Sequence, residues 1–212
     1  MRMRLPFPSP ASLFPSSVVP LPTYNGGVDR ALNLLLYPSN LASPGRLMKI
    51  ARSLSPLFSQ THVVGIDQGG LPTDEAVAPT VYLTRIRGTS LGAPLGGPRV
   101  VGAWGARVYR RFARQRVAAV SAQNLFLLPL AHALARRTGA VFAYNAHELE
   151  TETVGSAGLR QRLQRVIERR YIHRADVVSV VNETIAQWYR EAYPGVDPVV
   201  VTNAPTGSDG VI

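Results

Sequence analysis

Residues 117–148, VAAVSAQNLFLLPLAHALARRTGAVFAYNAHE, decide the fold. The first five, VAAVS, form a short apolar run. A polar step, Ala122–Gln123–Asn124, follows it. Residues 125–137 then carry apolar side chains at helical spacing and stop at Gly139, where a left-handed helix end favours glycine. Residues 140–144, AVFAY, form a second apolar run, followed by Asn145, Ala146, His147 and Glu148. Neither run alternates polar with apolar. Strands that are apolar throughout are covered on both faces, which is the habit of a parallel sheet between helices.

The same alternation extends outward in both directions. Strands are predicted over residues 31–37 (ALNLLLY), 62–66 (HVVGI), 80–86 (TVYLTRI), 177–181 (VVSVV) and 199–202 (VVVT). Helices are predicted over 46–57, 100–116, 159–173 and 182–193, the last capped by Asn182. The helix over 159–173 is expected to bury Leu159, Leu163, Val166, Ile167 and Tyr171 on one face. Residues 87–98, rich in Gly and Pro, read as a loop. The fold class is therefore α/β, a Rossmann-like, doubly wound parallel sheet. Residues 1–29, with six prolines between Pro6 and Pro22, read as a disordered leader. Residues 30–205 form the domain, and 206–212 begin a linker.

Composition narrows the function. The 212 residues hold no cysteine, which removes disulfides, thiolate zinc sites and cysteine nucleophiles and suits a reducing compartment, with the cytoplasm as the expected location. Net charge is +10, and Lys49 is the one lysine, so the positive charge is arginine. Such a surface attracts anions in general. The arginines are scattered, however. The densest group (Arg107, Arg110, Arg111, Arg114 and Arg116) is assigned to one helix without interleaved stacking aromatics, so no nucleic-acid partner is expected. The apolar side of that helix, Val101, Trp104, Val108 and Phe112, is expected to dock on the sheet. Peripheral contact of its basic side with the inner face of a membrane is the alternative.

Ligands of parallel sheets bind beyond the carboxyl ends of the strands. His147 and Glu148 follow a strand directly, and an imidazole there can bind a hydroxyl or move a proton near neutral pH. Gly45 and Arg46 sit between the first strand and its helix, where close backbone approach and a fixed positive fork suit an anion. A capping histidine and an ordinary helix start would produce the same residues. There is no G-x-G-x-x-G, Walker A, G-x-S-x-G or H-E-x-x-H sequence, which argues against dinucleotide, P-loop, serine-hydrolase and zincin chemistry. His62, His132 and His173 read as packing or surface residues.

Three segments in this order resemble the N-terminal domain of glycosyltransferase family 4 enzymes: residues 43–66, residues 117–152 with N-A-H-E where the family has D-x-H-E, and residues 166–205 with E-x-x-x-x-x-x-A-D before an N-x-P ending. The sequence departs from the pattern at Pro44–Gly45, at Asn145 in place of Asp, at Asn182 in place of Ser, and in the absence of a Gly-Gly loop after the first strand. The resemblance implies one half of a two-domain, GT-B glycosyltransferase that holds the acceptor. A donor domain for the nucleotide sugar would be absent. Transfer would retain anomeric configuration and need no metal or cofactor. It also implies His147 near the reacting centre, Gly45 and Arg46 near phosphates or acceptor, and Gln123, Asn124 and Glu148 on the acceptor side. Alone, such a half should be nearly inactive, and its partner-facing surface should be apolar and exposed. The competing reading is a stand-alone Rossmann-like binding module whose basic face takes anionic ligands or a membrane surface.

Overall fold

The computed structural model describes residues 31–88, 97–151 and 158–202. The leader at 1–29, the linker at 206–212, the N-x-P ending, Glu152 and the side chains of Val101 and Leu159 lie outside the described residues.

Eight strands form one sheet: β1 (Leu32–Leu36), β2 (Gln60–Asp67), β3 (Asp74–Ala78), β4 (Val81–Arg87), β5 (Val117–Ala122), β6 (Val141–Ala146), β7 (Val177–Val180) and β8 (Val199–Val200). The order is β3-β4-β2-β1-β5-β6-β7-β8, and every pair is parallel except β3–β4. Among the described residues, five α-helices connect them: α1 (Gly45–Leu54), α2 (Gly97–Phe112), α3 (Leu128–Thr138), α4 (Leu159–Tyr171) and α5 (Glu183–Ala192). All five residues of β1 are buried, as a central strand covered on both faces requires. Two apolar clusters flank the sheet. The larger includes Leu34, Leu36, Trp104, Phe112, Leu128 and Phe142, and the smaller centres on Leu35, Leu41, Leu47 and Val63.

Several local expectations are met. Gly139 ends α3 in the left-handed region at φ 72°, and the Asn182 side chain accepts from the Ile185 N–H at 2.9 Å as a helix cap. Trp104, Val108 and Phe112 are buried against the sheet, and the Trp104 indole N–H donates to the Gly65 carbonyl at 3.1 Å. The described apolar face of α2 is thereby consumed inside the protein.

One strand goes unpredicted, and two expectations are corrected. Asp74–Ala78 is a strand, an antiparallel edge beyond β4, although its DEAVA sequence lacks an apolar run. It is half-exposed and ends the sheet. Helix α2 ends at Phe112, so Arg114 and Arg116 lie beyond it. Helix α4 faces the core with Gln164, Ile167, Glu168 and Tyr171, while Leu163 and Val166 are exposed. Glu168 sets this rotation: its buried carboxylate accepts from the Tyr189 hydroxyl at 2.7 Å and the Tyr193 hydroxyl at 2.8 Å, both reached through α5.

Candidate functional site

Strand order reverses direction at β1 and β5. From β1 the chain winds through α1 to β2 on one side; from β5 it winds through α3 to β6 on the other. The carboxyl ends of β1 and β5 therefore border the crevice where open α/β sheets bind ligands. Three loops meet there. One follows β1 and leads into Gly45 and Arg46, one follows β5 and holds Gln123 and Asn124, and one follows β6 and holds His147 and Glu148.

The loop after β1 is held tightly. Leu41 adopts φ 57°, a left-handed conformation costly for a leucine, and is nonetheless buried. The Ile66 N–H donates to the Ser39 carbonyl at 2.6 Å. A side chain at Gly65 would meet Leu41 Cγ at 2.4 Å and the Ser39 carbonyl oxygen at 2.5 Å, so only glycine admits this approach. Arg85, 3% exposed, donates to the carbonyls of Asn40 (2.8 Å), Leu41 (3.1 Å) and Pro72 (2.8 Å) and pairs with Glu75 at 3.0 Å. Neither Arg85 nor Gly65 stands out in the sequence, because their partners are remote along the chain.

At the crevice, the charge of Arg46 acts on His147. The imidazole's pKa is lowered to about 4, first by burial and then by the Arg46 guanidinium, so His147 is neutral at pH 7. His147 Nε2 lies 3.0 Å from Gln123 Oε1. The Gln123 amide, itself 3% exposed, donates through Nε2 to Ser121 Oγ at 2.8 Å, and its backbone N–H donates to the Leu36 carbonyl at 3.1 Å. Asn145 Nδ2 also donates to Ser121 Oγ, at 3.1 Å, and the Ser179 hydroxyl donates to Asn145 Oδ1. The Gln123 side chain thus reaches His147 and Ser121.

The remaining predicted residues differ in their surroundings. Asn124 caps the turn Leu125–Leu127, accepting from the Phe126 N–H at 3.0 Å, and donates to Glu150 at 2.8 Å; Glu150 also accepts from the Leu125 N–H at 2.9 Å. Glu148 is exposed beside the crevice. Gly45 begins α1 exposed, and a side chain there would meet nothing within 4 Å. The fold does not require glycine at this position, and the space before the helix start is open. Ser121 and Ser179 escaped sequence reasoning because nothing local distinguishes them, and Asn145 stood out only by its place after a strand, where the family has Asp.

His62, His132 and His173 pack as expected. His62 stacks on Tyr82, His132 meets Phe142 and Tyr171 edge-on, and His173 meets Tyr193. Among the described residues, no three His, Asp or Glu side chains gather as metal ligands, and no helix is long and apolar enough to cross a membrane.

Comparison with known proteins agrees with this fold. The sequence matches no curated protein. Among solved structures, the fold is similar to a sucrose-phosphate synthase from Thermosynechococcus elongatus in two crystal structures. One match has a TM-score of 0.57 at 10% identity, covering 84% of this chain and 90% of that one; the other has a TM-score of 0.67 at 11% identity, covering 82% and 48%. It is also similar to Os79 from O. sativa, solved in complex with UDP, with a TM-score of 0.52 at 12% identity, covering 76% and 49%. The chain thus spans about half the length of the second and third of these structures. The family model described as a glycosyl transferase 4-like domain matches residues 45–206, well over half the sequence, and the chain belongs to that family.

Proposed function

We propose that this chain is the acceptor-holding wall of a retaining glycosyltransferase that moves a sugar from a nucleotide-sugar donor to a glycan, lipid or small-molecule acceptor. The observation that carries the reading is the placement of Arg46, at the start of α1, and a neutral His147, just after β6, around the strand-order reversal where ligands of such sheets bind. Arg46 supplies a fixed positive charge for a phosphate. His147 contacts a hydroxyl near the reacting centre. Gly45 leaves backbone room, and Glu148 faces acceptor hydroxyls. Asn124 and Gln123 shape the acceptor side, Gln123 by holding His147. In this reading the donor's nucleotide is held by a second domain outside these 212 residues. The chain alone therefore binds acceptor but turns over poorly, since one wall cannot align both reactants. Transfer needs no metal, and EDTA leaves it unchanged.

The test is NMR titration of the chain with sugars, sugar phosphates and glycolipid headgroups. A bound acceptor should perturb Arg46, His147 and Glu148 together. Gly45→Ala should leave melting unchanged, because its side chain enters open space, yet weaken that binding. Perturbation confined to other surfaces, or full binding by Gly45→Ala, Arg46→Ala and His147→Ala alike, overturns the reading. The competing binding-module reading predicts anion binding on the arginine-rich helix face with no response at His147.

A further inference from the structure

The hydrogen bonds behind His147 have a direction, and that direction reaches the crevice. The Ser179 hydroxyl gives its proton to Asn145 Oδ1, which turns the Asn145 NH2 toward Ser121. Ser121 Oγ, buried, accepts from Asn145 and again from the Gln123 NH2. With its NH2 committed to Ser121, Gln123 presents its oxygen to His147 Nε2 at 3.0 Å. An oxygen with no hydrogen can only accept, so the proton of the neutral ring must sit on Nε2. Among the described residues, Nδ1 makes no hydrogen bond.

We propose that Ser179, Asn145, Ser121 and Gln123 form a positioning chain across β7, β6 and β5 that locks His147 as the Nε2–H tautomer and offers its Nδ1 lone pair to the crevice. The inference rests on the reading of His147 as a ligand contact and deepens it by assigning the ligand chemistry. A bare lone pair accepts from a hydroxyl and repels a phosphate oxygen. His147 therefore recognises a hydroxyl of a sugar or polyol, while phosphate falls to Arg46. The four residues in the chain lie behind the imidazole, so they are positioning residues.

Long-range 1H–15N spectra of the full chain, labelled at histidine, test this directly. Four histidines give four ring patterns, and loss of one in His147→Gln assigns His147. At pH 7 the wild type should show a single Nε2–H pattern. Ser121→Ala removes the acceptor that orients Gln123 and should convert the pattern to a tautomer mixture; Ser121→Thr, which keeps the hydroxyl, should restore it. Ser179→Ala, at the far end, should give a partial conversion, and it covers the case in which buried Ser121→Ala fails to fold. Gln123→Glu keeps the acceptor and should keep the pattern. Inorganic phosphate should perturb Arg46 without moving the His147 proton. An Nδ1–H pattern in the wild type would mean that the chain runs in reverse, with Ser121 donating to Gln123, and would overturn the proposal. So would a pattern indifferent to Ser121→Ala and Ser179→Ala, or one that phosphate switches to Nδ1–H. The readout needs no substrate. Failure of glycosyl transfer leaves it standing, and its own failure leaves the acceptor titration to be judged separately.

Discussion

Arg85→Met replaces the buried guanidinium with an apolar side chain of similar reach. Four hydrogen bonds vanish: those to the carbonyls of Asn40, Leu41 and Pro72 and that to Glu75. Their losses are unequal. Pro72 is exposed and the Glu75 side chain is 41% exposed, so water replaces the arginine there at little cost. Asn40 is only half-exposed, and Leu41 is buried at φ 57°. Their carbonyls lose a charged donor while sitting in a strained turn. Stranding a buried acceptor costs about 1–3 kcal/mol, and removing one member of a buried charged network about 3–5 kcal/mol. We expect a loss of roughly 3–5 kcal/mol, which for a domain of this size lowers the melting temperature by roughly 6–20 °C. Urea denaturation followed by fluorescence of the buried Trp104 measures it. Arg85→Lys keeps the charge but not the planar fork, so it should fall between the two proteins. Because this loop leads into Gly45 and Arg46 at the start of α1, the variant should also lift the His147 titration as Arg46 loosens. A loss in Arg85→Met below about 1 kcal/mol would refute the argument that Arg85 pins the loop.

The remaining predictions concern charge and buried hydroxyls. Because the folded His147 titrates near 4 against an ordinary 6.5, the unfolded chain takes up the proton first as pH falls. The contribution of His147 should be complete above pH 7 and decline between pH 6.5 and 4. His62 and His132, also lowered by burial, add in the same direction. The urea midpoint plotted against pH should fall less steeply for His147→Gln. Arg46→Gln should raise the His147 midpoint only part of the way, since burial is the larger cause; a full return to 6.5 would contradict that ranking. Tyr189→Phe and Tyr193→Phe each remove a hydrogen bond to the buried Glu168 carboxylate, and each should cost about 1.5–3 kcal/mol in the same denaturation assay.

The parallel core was legible because its strands are unbroken apolar runs and its helices end on recognisable signals such as Gly139 and Asn182. Two failures have separate causes. DEAVA offers no run because an edge strand needs no second covered face. Helix α4 offers a misleading apolar stripe because its buried face is built on Glu168, whose tyrosine partners lie on α5 and at its C-cap. At the candidate site, the topology rule pointed to the loops that border the strand-order reversal. It could not locate Arg85 or Ser179, whose partners lie 10 to 45 residues away. Such residues gain their partners only through contacts that folding creates.

Asn145 stands where the family pattern has Asp, and the two side chains differ in what they can transmit. An amide accepts from Ser179 on one side and donates to Ser121 on the other. A carboxylate accepts from both. In Asn145→Asp, the Ser121 hydroxyl would turn to donate toward residue 145, while its lone pairs stay available to the Gln123 NH2. The His147 tautomer should therefore survive the substitution. The charge should not be silent, because a new anion behind the imidazole favours imidazolium and raises the His147 midpoint from about 4 toward the ordinary value. Above that midpoint the ring is still neutral, so binding of a hydroxyl at pH 7 should persist and fade at a higher pH than in the wild type as conditions become acidic. An NMR titration of His147 in the two proteins decides the matter. An unchanged or lower midpoint would mean that residue 145 is electrostatically isolated from the crevice. The Asn would then be a packing choice, with no bearing on His147.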